Sequence, residues 1–246
     1  MNSGLYAACA GLMARMQALD TIAANVANSS STGFRGQENV FGTVLAEANH
    51  HGRLSTLNQA TNTYSQMSDP QLDQTEGTVT PTGNDLDVAI EGSGYLKIQT
   101  SNGIAYTRNG HFQLDANGKL TTDTGDAVLG QGGPITLSKG PVSISADGTI
   151  SSGGAISGKL ALVTFAPGTK LTNRGGSDYG APANSEVPAT GATVQQGSLE
   201  GSNVSPIEGV VQLISAQRAA ESMRHALSLL DSDMNKTAVQ DLPRVS

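Results

Sequence analysis

Tryptophan is absent from this 246-residue chain, and only five Tyr and four Phe stand against 30 Gly. Large aromatic side chains dominate core and pocket energetics, and small-molecule pockets are usually lined by them. Their scarcity argues against a catalytic cleft and for many short strands and turns. The single cysteine, Cys9, excludes an internal disulfide and leaves the redox compartment open. No run of Lys or Arg occurs, and 14 basic against 21 acidic residues leave a net charge of -7. That balance lacks the electrostatic footprint of a binder of nucleic acid or anionic lipid. No stretch approaches the roughly 20 apolar residues that span a bilayer, so direct membrane insertion is not expected. The N-terminus has no basic segment followed by a continuous apolar one, so no cleaved secretion signal is expected.

The chemistry-bearing patterns are equally thin. His50, His51, His111 and His225 have no metal-ligand spacing. Asp115-Ala116-Asn117-Gly118 opens like a calcium loop, but no bidentate Glu follows, and a hairpin turn explains it better. Gly92-Ser93-Gly94 lacks the third Gly and the helix of a nucleotide fingerprint, and nothing marks a nucleophile elbow. No catalytic, cofactor-binding or metal-ligating residue is expected.

What is present falls into zones. From Ser3 to about Asn28, Leu5, Leu12, Leu19 and Val26 recur every seven residues, with Cys9, Met16 and Ala23 between them. That spacing draws a narrow apolar stripe along a helix, with Cys9 expected as a small buried hydrophobe. Ser29-Ser30-Ser31-Thr32-Gly33 supplies a stop. At the other end, Ser205-Pro206-Ile207-Glu208 is a capping box with proline at the first helical position. Beyond it Leu213, Ala216, Ala220, Met223, Leu227, Leu230 and Met234 occupy heptad positions for about three repeats, in a helix about 50 Å long.

The middle has a different grammar. Short apolar runs such as 86–90 and 95–98 are punctuated by Asn102-Gly103, Asn109-Gly110, Asn117-Gly118 and Asp147-Gly148. These dipeptides tolerate the positive φ of tight turns, and their spacing predicts antiparallel β structure. The expected fold class is α+β: paired long N- and C-terminal helices, coiled-coil-like, plus a central all-β domain of short antiparallel strands. The expected boundaries are 1–35 for the N-terminal helix and loop, 36–76 for an extended polar linker, 77–200 for the β domain and 201–246 for the C-terminal helix. Helical seams with nothing local to bury them are marginal alone in water, and so predict an assembly subunit.

These segments also carry a resemblance. Ile22-Ala23-Ala24-Asn25-Val26-Ala27-Asn28, running through to Gly33-Phe34-Arg35, resembles the N-terminal signature of bacterial flagellar rod and hook proteins. Leu199-Glu200-Gly201-Ser202-Asn203-Val204 with Gln217-Arg218 and Glu221 resembles that family's C-terminal signature. Leu86-Asp87-Val88-Ala89-Ile90-Glu91-Gly92-Ser93-Gly94-Tyr95 and Tyr106-Thr107-Arg108-Asn109-Gly110-His111-Phe112 are similar to its central motifs. The blocks are collinear and span nearly the whole chain. Two positions depart from the pattern: Ala24, where many relatives have a second Asn, and Ala220, where an aromatic commonly precedes the Glu.

The resemblance implies a structural subunit of the basal-body rod, a periplasm-spanning tube that transmits torque from motor to hook. Chain length and motif wording favour a proximal over a distal rod paralogue or a short hook-like one. It implies copies of the same chain, other rod proteins and the flagellar type III export apparatus as partners, with export that leaves the N-terminus uncleaved. The assembly interface is expected at Leu5, Leu12, Met16, Leu19, Val26, Leu213, Arg218, Met223, Leu227 and Leu230. Asn25, Asn28 and Asn203 offer either inter-subunit hydrogen bonds or helix caps, with capping favoured at Asn28. Gly33-Phe34 is expected to turn the chain and dock one ring into a neighbour. A reading of another class, a secreted β-rich enzyme or adhesin with coiled-coil arms, would require clustered carboxylates or histidines beside aromatics, and the central zone lacks that composition.

Overall fold

The computed structural model describes residues 2–38, 41–44, 64–67 and 71–240, with side chains over 9–38 and 71–229. The chain divides into two compact units: Met1–Ala24, Glu38–Pro70 and Ile207–Ser246 form one, and Asn25–Gln37 with Gln71–Pro206 form the other. Of the expected polar linker over 36–76, residues 39–40, 45–63 and 68–70 lie outside the described residues.

The first unit is built on two helices, α1 (Asn2–Ala27) and α2 (Pro206–Gln240). Proline at the first position of α2 loses no hydrogen bond there, and Glu208 in the first turn complements the helix dipole. A two-stranded antiparallel pair, Phe41–Val44 with Tyr64–Met67, belongs to the same unit, in register Phe41↔Met67 to Val44↔Tyr64. Among the described residues no helix is long and apolar enough to cross a membrane.

The α+β outline stands, but the coiled-coil-like pairing does not. On α2 the expected positions are the sheltered ones: Leu213, Ala216, Met223 and Leu227 are half-buried and Ala220 is buried. On α1 the stripe is rotated, because Cys9 and Met16 are exposed. The sheltered side there runs instead through Gly11, Ala14, Ala18, Thr21 and Ile22, joined by Leu12 and Leu19. A Cβ built on Gly11 would lie 3.1 Å from the Met223 methyl, so the glycine admits that side chain. Small residues let helix backbones approach closely, whereas a heptad seam needs large knobs filling holes. Of the expected α1 positions with described side chains, Leu12, Leu19, Ala23 and Val26 are thus half-buried, while Cys9 and Met16 are not.

The second unit is β-rich, and its described strand pairings are antiparallel. Its largest sheet runs Thr172–Gly175, Asp178–Gly180, Gly103–Thr107, Tyr95–Thr100, Ala127–Gly130, Leu120–Thr122, Phe112–Leu114, with Leu162–Phe165 also pairing with Tyr95–Thr100. The hairpin between Tyr95–Thr100 and Gly103–Thr107 closes at Thr100↔Gly103. Val142–Ile144, Thr149–Ser152 and Ala155–Lys159 form a three-stranded meander. Two further pairs, Val88–Glu91 with Thr193–Gln196 and Val79–Pro81 with Ser198–Glu200, bring late segments beside early ones.

Strand alternation buries Val88, Ile90, Leu96, Ile98, Phe112, Leu120, Val128 and Ile150 in one core. Four of the scarce aromatics gather in a second cluster. There the Tyr106 and Phe165 rings meet edge to face at 4.9 Å, and Tyr95 lies 5.6 Å from Phe165 and 5.8 Å from Tyr179. Asp115 caps its turn by accepting from the Asn117 and Lys119 amides, both at 2.8 Å. The Lys119 amide foremost holds that carboxyl below its ordinary value. Asn109-Gly110 departs from the turn expectation. Gly110 has no positive φ; a Cβ there would collide with the Val88 carbonyl, so the glycine permits a close strand crossing.

Candidate functional site

The three motif blocks meet in the second unit. After α1 ends, Asn28 donates its amide to the Asn25 carbonyl (3.2 Å) and Ser31 donates to Asn28 (3.0 Å), unwinding the chain in turns. Gly33 follows at φ 66°, where an added Cβ would sit inside the backbone of Arg108 and Asn109, and its amide donates to the Glu200 carbonyl at 2.8 Å. Only glycine satisfies both demands. Phe34 is fully buried, and the Arg35 amide donates to the Tyr179 hydroxyl at 2.8 Å.

Two side-chain amides take the place of strand neighbours. Asn25 grips Gln37 with both ends, accepting from its amide at 2.9 Å and donating to its carbonyl at 2.8 Å. Asn203 accepts from the Gly36 amide at 2.7 Å and donates to the Thr75 carbonyl at 3.2 Å. Such pairing satisfies backbone groups that no sheet ladder reaches.

At the centre lies a charged knot. Glu200 accepts from Arg35 Nη2 at 2.7 Å through Oε1 and from Arg108 Nε at 2.7 Å through Oε2, while the Gly77 amide also donates to Oε1 at 2.9 Å. The three side chains are only 1–3% exposed. Arg108 spends its remaining donors on carbonyls, with Nη1 to Gly94 (2.7 Å) and Gly92 (3.0 Å) and Nη2 to Ile90 (2.9 Å). Its guanidinium also lies 5.8 Å from the Tyr95 ring centre.

Two cations and one anion leave a net positive charge in the interior. Burial first, and then the Arg108 charge, push the Arg35 guanidinium below its ordinary 12.5, against the pull of Glu200. Burial likewise raises the Tyr95 and Tyr179 hydroxyls. Arg35 Nε has no hydrogen-bond partner among the described residues. The adjoining cleft, lined by Arg35, Gln74, Glu76, Tyr95 and Arg108, has a volume of about 30 Å³, which suits a water and not a substrate. A wider groove of about 440 Å³ beside Ser31, Thr107, His111, Thr122 and Asp178 is lined by no Phe or Tyr, unlike ordinary small-molecule pockets.

A second polar knot holds the central motif. Asp87 is buried and accepts from Thr82 Oγ1 (2.7 Å) and Asn84 Nδ2 (2.9 Å), with His111 Nδ1 at 2.8 Å. Among the described residues, no group of three or more His, Cys, Asp or Glu is placed to hold a metal ion.

The residues expected at an assembly surface are placed as follows. Leu12, Leu19, Val26, Leu213, Met223 and Leu227 are half-buried on the helices, whereas Met16 and Arg218 are exposed. Leu5 and Leu230 lie outside the described side chains. Asn25, Phe34 and Asn203 are engaged inside their own chain, and Asn28 helps to form the turn after α1. Sequence reasoning overlooked the Arg35–Glu200–Arg108 knot, although one signal was available. Each of the three residues is the single Lys, Arg, Asp or Glu in its stretch, 21–36, 195–206 and 104–114.

Comparison with known proteins accounts for why these blocks converge. Residues 5–35 match the family described as flagella basal body rod protein, residues 89–152 the flagellar hook protein FlgE/F/G D1 domain, and residues 195–238 the flagellar basal body rod FlgEFG protein C-terminal. These matches define the class as axial proteins of the bacterial flagellum. Full-length comparison narrows it. The chain is 32% identical over 251 residues to the flagellar basal-body rod protein FlgF of Caulobacter vibrioides, covering 100% of both chains. It is 34% identical to FlgF of Salmonella typhimurium, over 95% of this chain and 96% of that one. Against the rod protein FlgG of Bacillus subtilis the identity is 31%, over 94% and 96%. The chain belongs to the flagellar basal-body rod protein family, as a structural subunit of the basal body, and it is FlgF-like.

Proposed function

We infer that this subunit occupies the proximal, FlgF-type part of the rod and joins copies of itself and other rod proteins through α1 and α2. The observation that carries this is full-length collinearity with FlgF relatives in Caulobacter and Salmonella, together with the knot at which the two terminal signatures hold each other. Glu200 and Arg35 tie the segment that follows α1 to the segment that precedes α2. The subunit passes torque from motor to hook. The subunit performs no catalysis and inserts into no membrane. It reaches the periplasm-spanning rod through the type III export apparatus.

The similarity to FlgG over 94% of the chain favours one second reading, a distal rod position. Immunogold labelling of the chain along isolated basal bodies decides between the two. Label at the inner, motor-side end of the rod is expected, and label confined to the hook-side end would reverse the assignment.

A further inference from the structure

Glu200 answers only part of the charge around it. Arg108 directs all three guanidinium nitrogens at protein oxygens. Arg35 does not. Its Nη2 meets Glu200 at 2.7 Å and its Nη1 the Gln74 carbonyl at 3.3 Å. Its Nε is buried without a partner among the described residues, on a side chain only 2% exposed. Arg35 and Arg108 both line the cleft of about 30 Å³, together with Gln74, Ser93, Tyr95 and Thr164. One carboxylate also reaches that cleft, Glu76, whose Oε1 accepts from the Gly92 amide at 3.0 Å. Glu76 is exposed, and solvent screens an exposed charge far more than a buried one. It offsets little of the positive excess inside.

We propose that this cleft binds a monatomic anion of the chloride class, held against Arg35 and Arg108 and accepting the Arg35 Nε–H. Room for roughly one or two waters encloses no sulfate, phosphate or carboxylic acid. A water there would satisfy Nε but leave the excess positive charge buried, and an uncompensated buried charge is costly. An anion meets both needs at once, through a charge-assisted hydrogen bond stronger than a neutral one. The lining suits it, because the Ser93, Tyr95 and Thr164 hydroxyls can turn to donate, whereas a metal cation would face two arginines. The bound ion is then a second, exchangeable counter-charge at the joint between the early and late segments. In chloride-free buffer Glu200 is the knot's single anion. This site goes beyond the rod reading and does not depend on it.

Urea titrations of the full chain, with chloride exchanged stepwise for gluconate at constant ionic strength, test the site. Gluconate is too large for the cleft. Above the dissociation constant, each ten-fold rise in chloride should multiply the folding equilibrium constant by about ten. Arg35→Lys keeps the positive charge but lacks the Nε–H, and should lose this rise. An equal rise in Arg35→Lys, or none in the unaltered chain, overturns the proposal. Crystals of the unaltered chain soaked in sodium bromide should show anomalous density in the cleft beside Arg35, and its absence overturns the site. Density without the chloride-dependent rise marks an adventitious ion only, which also overturns it. If Arg35→Lys does not fold, the unaltered chain decides: chloride dependence together with bromide density supports the site, and the lack of either refutes it.

Discussion

Glu200 is one carboxylate answering to three partners: Arg35, Arg108 and the Gly77 amide. Removing its charge leaves two guanidinium groups in the interior with no anion. Breaking a buried ion pair from one side costs about 3–5 kcal/mol, because the stranded charge keeps its desolvation penalty. Glu200→Gln is therefore expected to lower the unfolding free energy of the full chain by that amount in urea titration. A change below about 1 kcal/mol would show that the knot is solvated in solution. A milder effect is expected at the surface, where Lys97 Nζ lies 2.7 Å from Glu186 Oε1 and the Tyr106 hydroxyl donates to Oε2 at 2.9 Å. Lys97 foremost holds the Glu186 carboxyl below its ordinary 4.5. A lowered folded-state value means stability that is complete above 4.5 and lost as pH falls through the lowered value. The pair is partly exposed, so the loss is less than about 1 kcal/mol. Thermal melts from pH 7 to 3 should show this acid-side decline, and Glu186→Gln should remove its share of it.

At the scale of elements, α1 and α2 each have a sheltered and an exposed face. Leu227 is half-buried on the sheltered side of α2, in line with Met223 and Ala220. Leu227→Asp places a carboxylate there and should reduce incorporation into the rod at least ten-fold, read from basal-body fractions. The β unit should stay folded, with its near-ultraviolet tyrosine signal unchanged. Normal incorporation would show that this side of α2 is not buried in the working assembly. The expected positions on α2 are sheltered, though two of them, Ala216 and Ala220, are small. On α1 Leu12, Leu19, Ala23 and Val26 are sheltered too, but Gly11, Ala14 and Ala18 join them and Cys9 and Met16 do not. A hydrophobicity count ranks the small residues below Met16 and Cys9.

On the scale of the whole molecule, the second unit contains a short early segment, Asn25–Gln37, and a long late one, Gln71–Pro206. The early segment is held by Tyr179, Glu200 and Asn203, all near the end of the late one. Limited proteolysis of the dilute full chain is thus expected to cut within 38–70 and to trim both helical ends. Residues 25–37 should nonetheless stay bound to the 71–206 fragment through gel filtration, with mass spectrometry identifying both pieces. Release of 25–37 at the first cut would mean that Asn25, Arg35 and Asn203 do not clamp it in solution.

The sequence by itself determined the order of helix, β-rich middle and helix and the start of α2 at a proline. Those features are written in local spacing and composition, which act over a few residues. The collinear motifs also placed the chain in its family. Only the tertiary structure decided what the motif residues do. Asn25 and Arg35, Arg108, and Glu200 and Asn203 come from three distant parts of the chain, and periodicity reports which side chains avoid water without naming the neighbour that removes it. Backbone groups at the Gly33–Gln37 bend needed partners, and the fold supplied them from within. Two asparagines expected at caps or subunit contacts, Asn25 and Asn203, therefore became internal clasps.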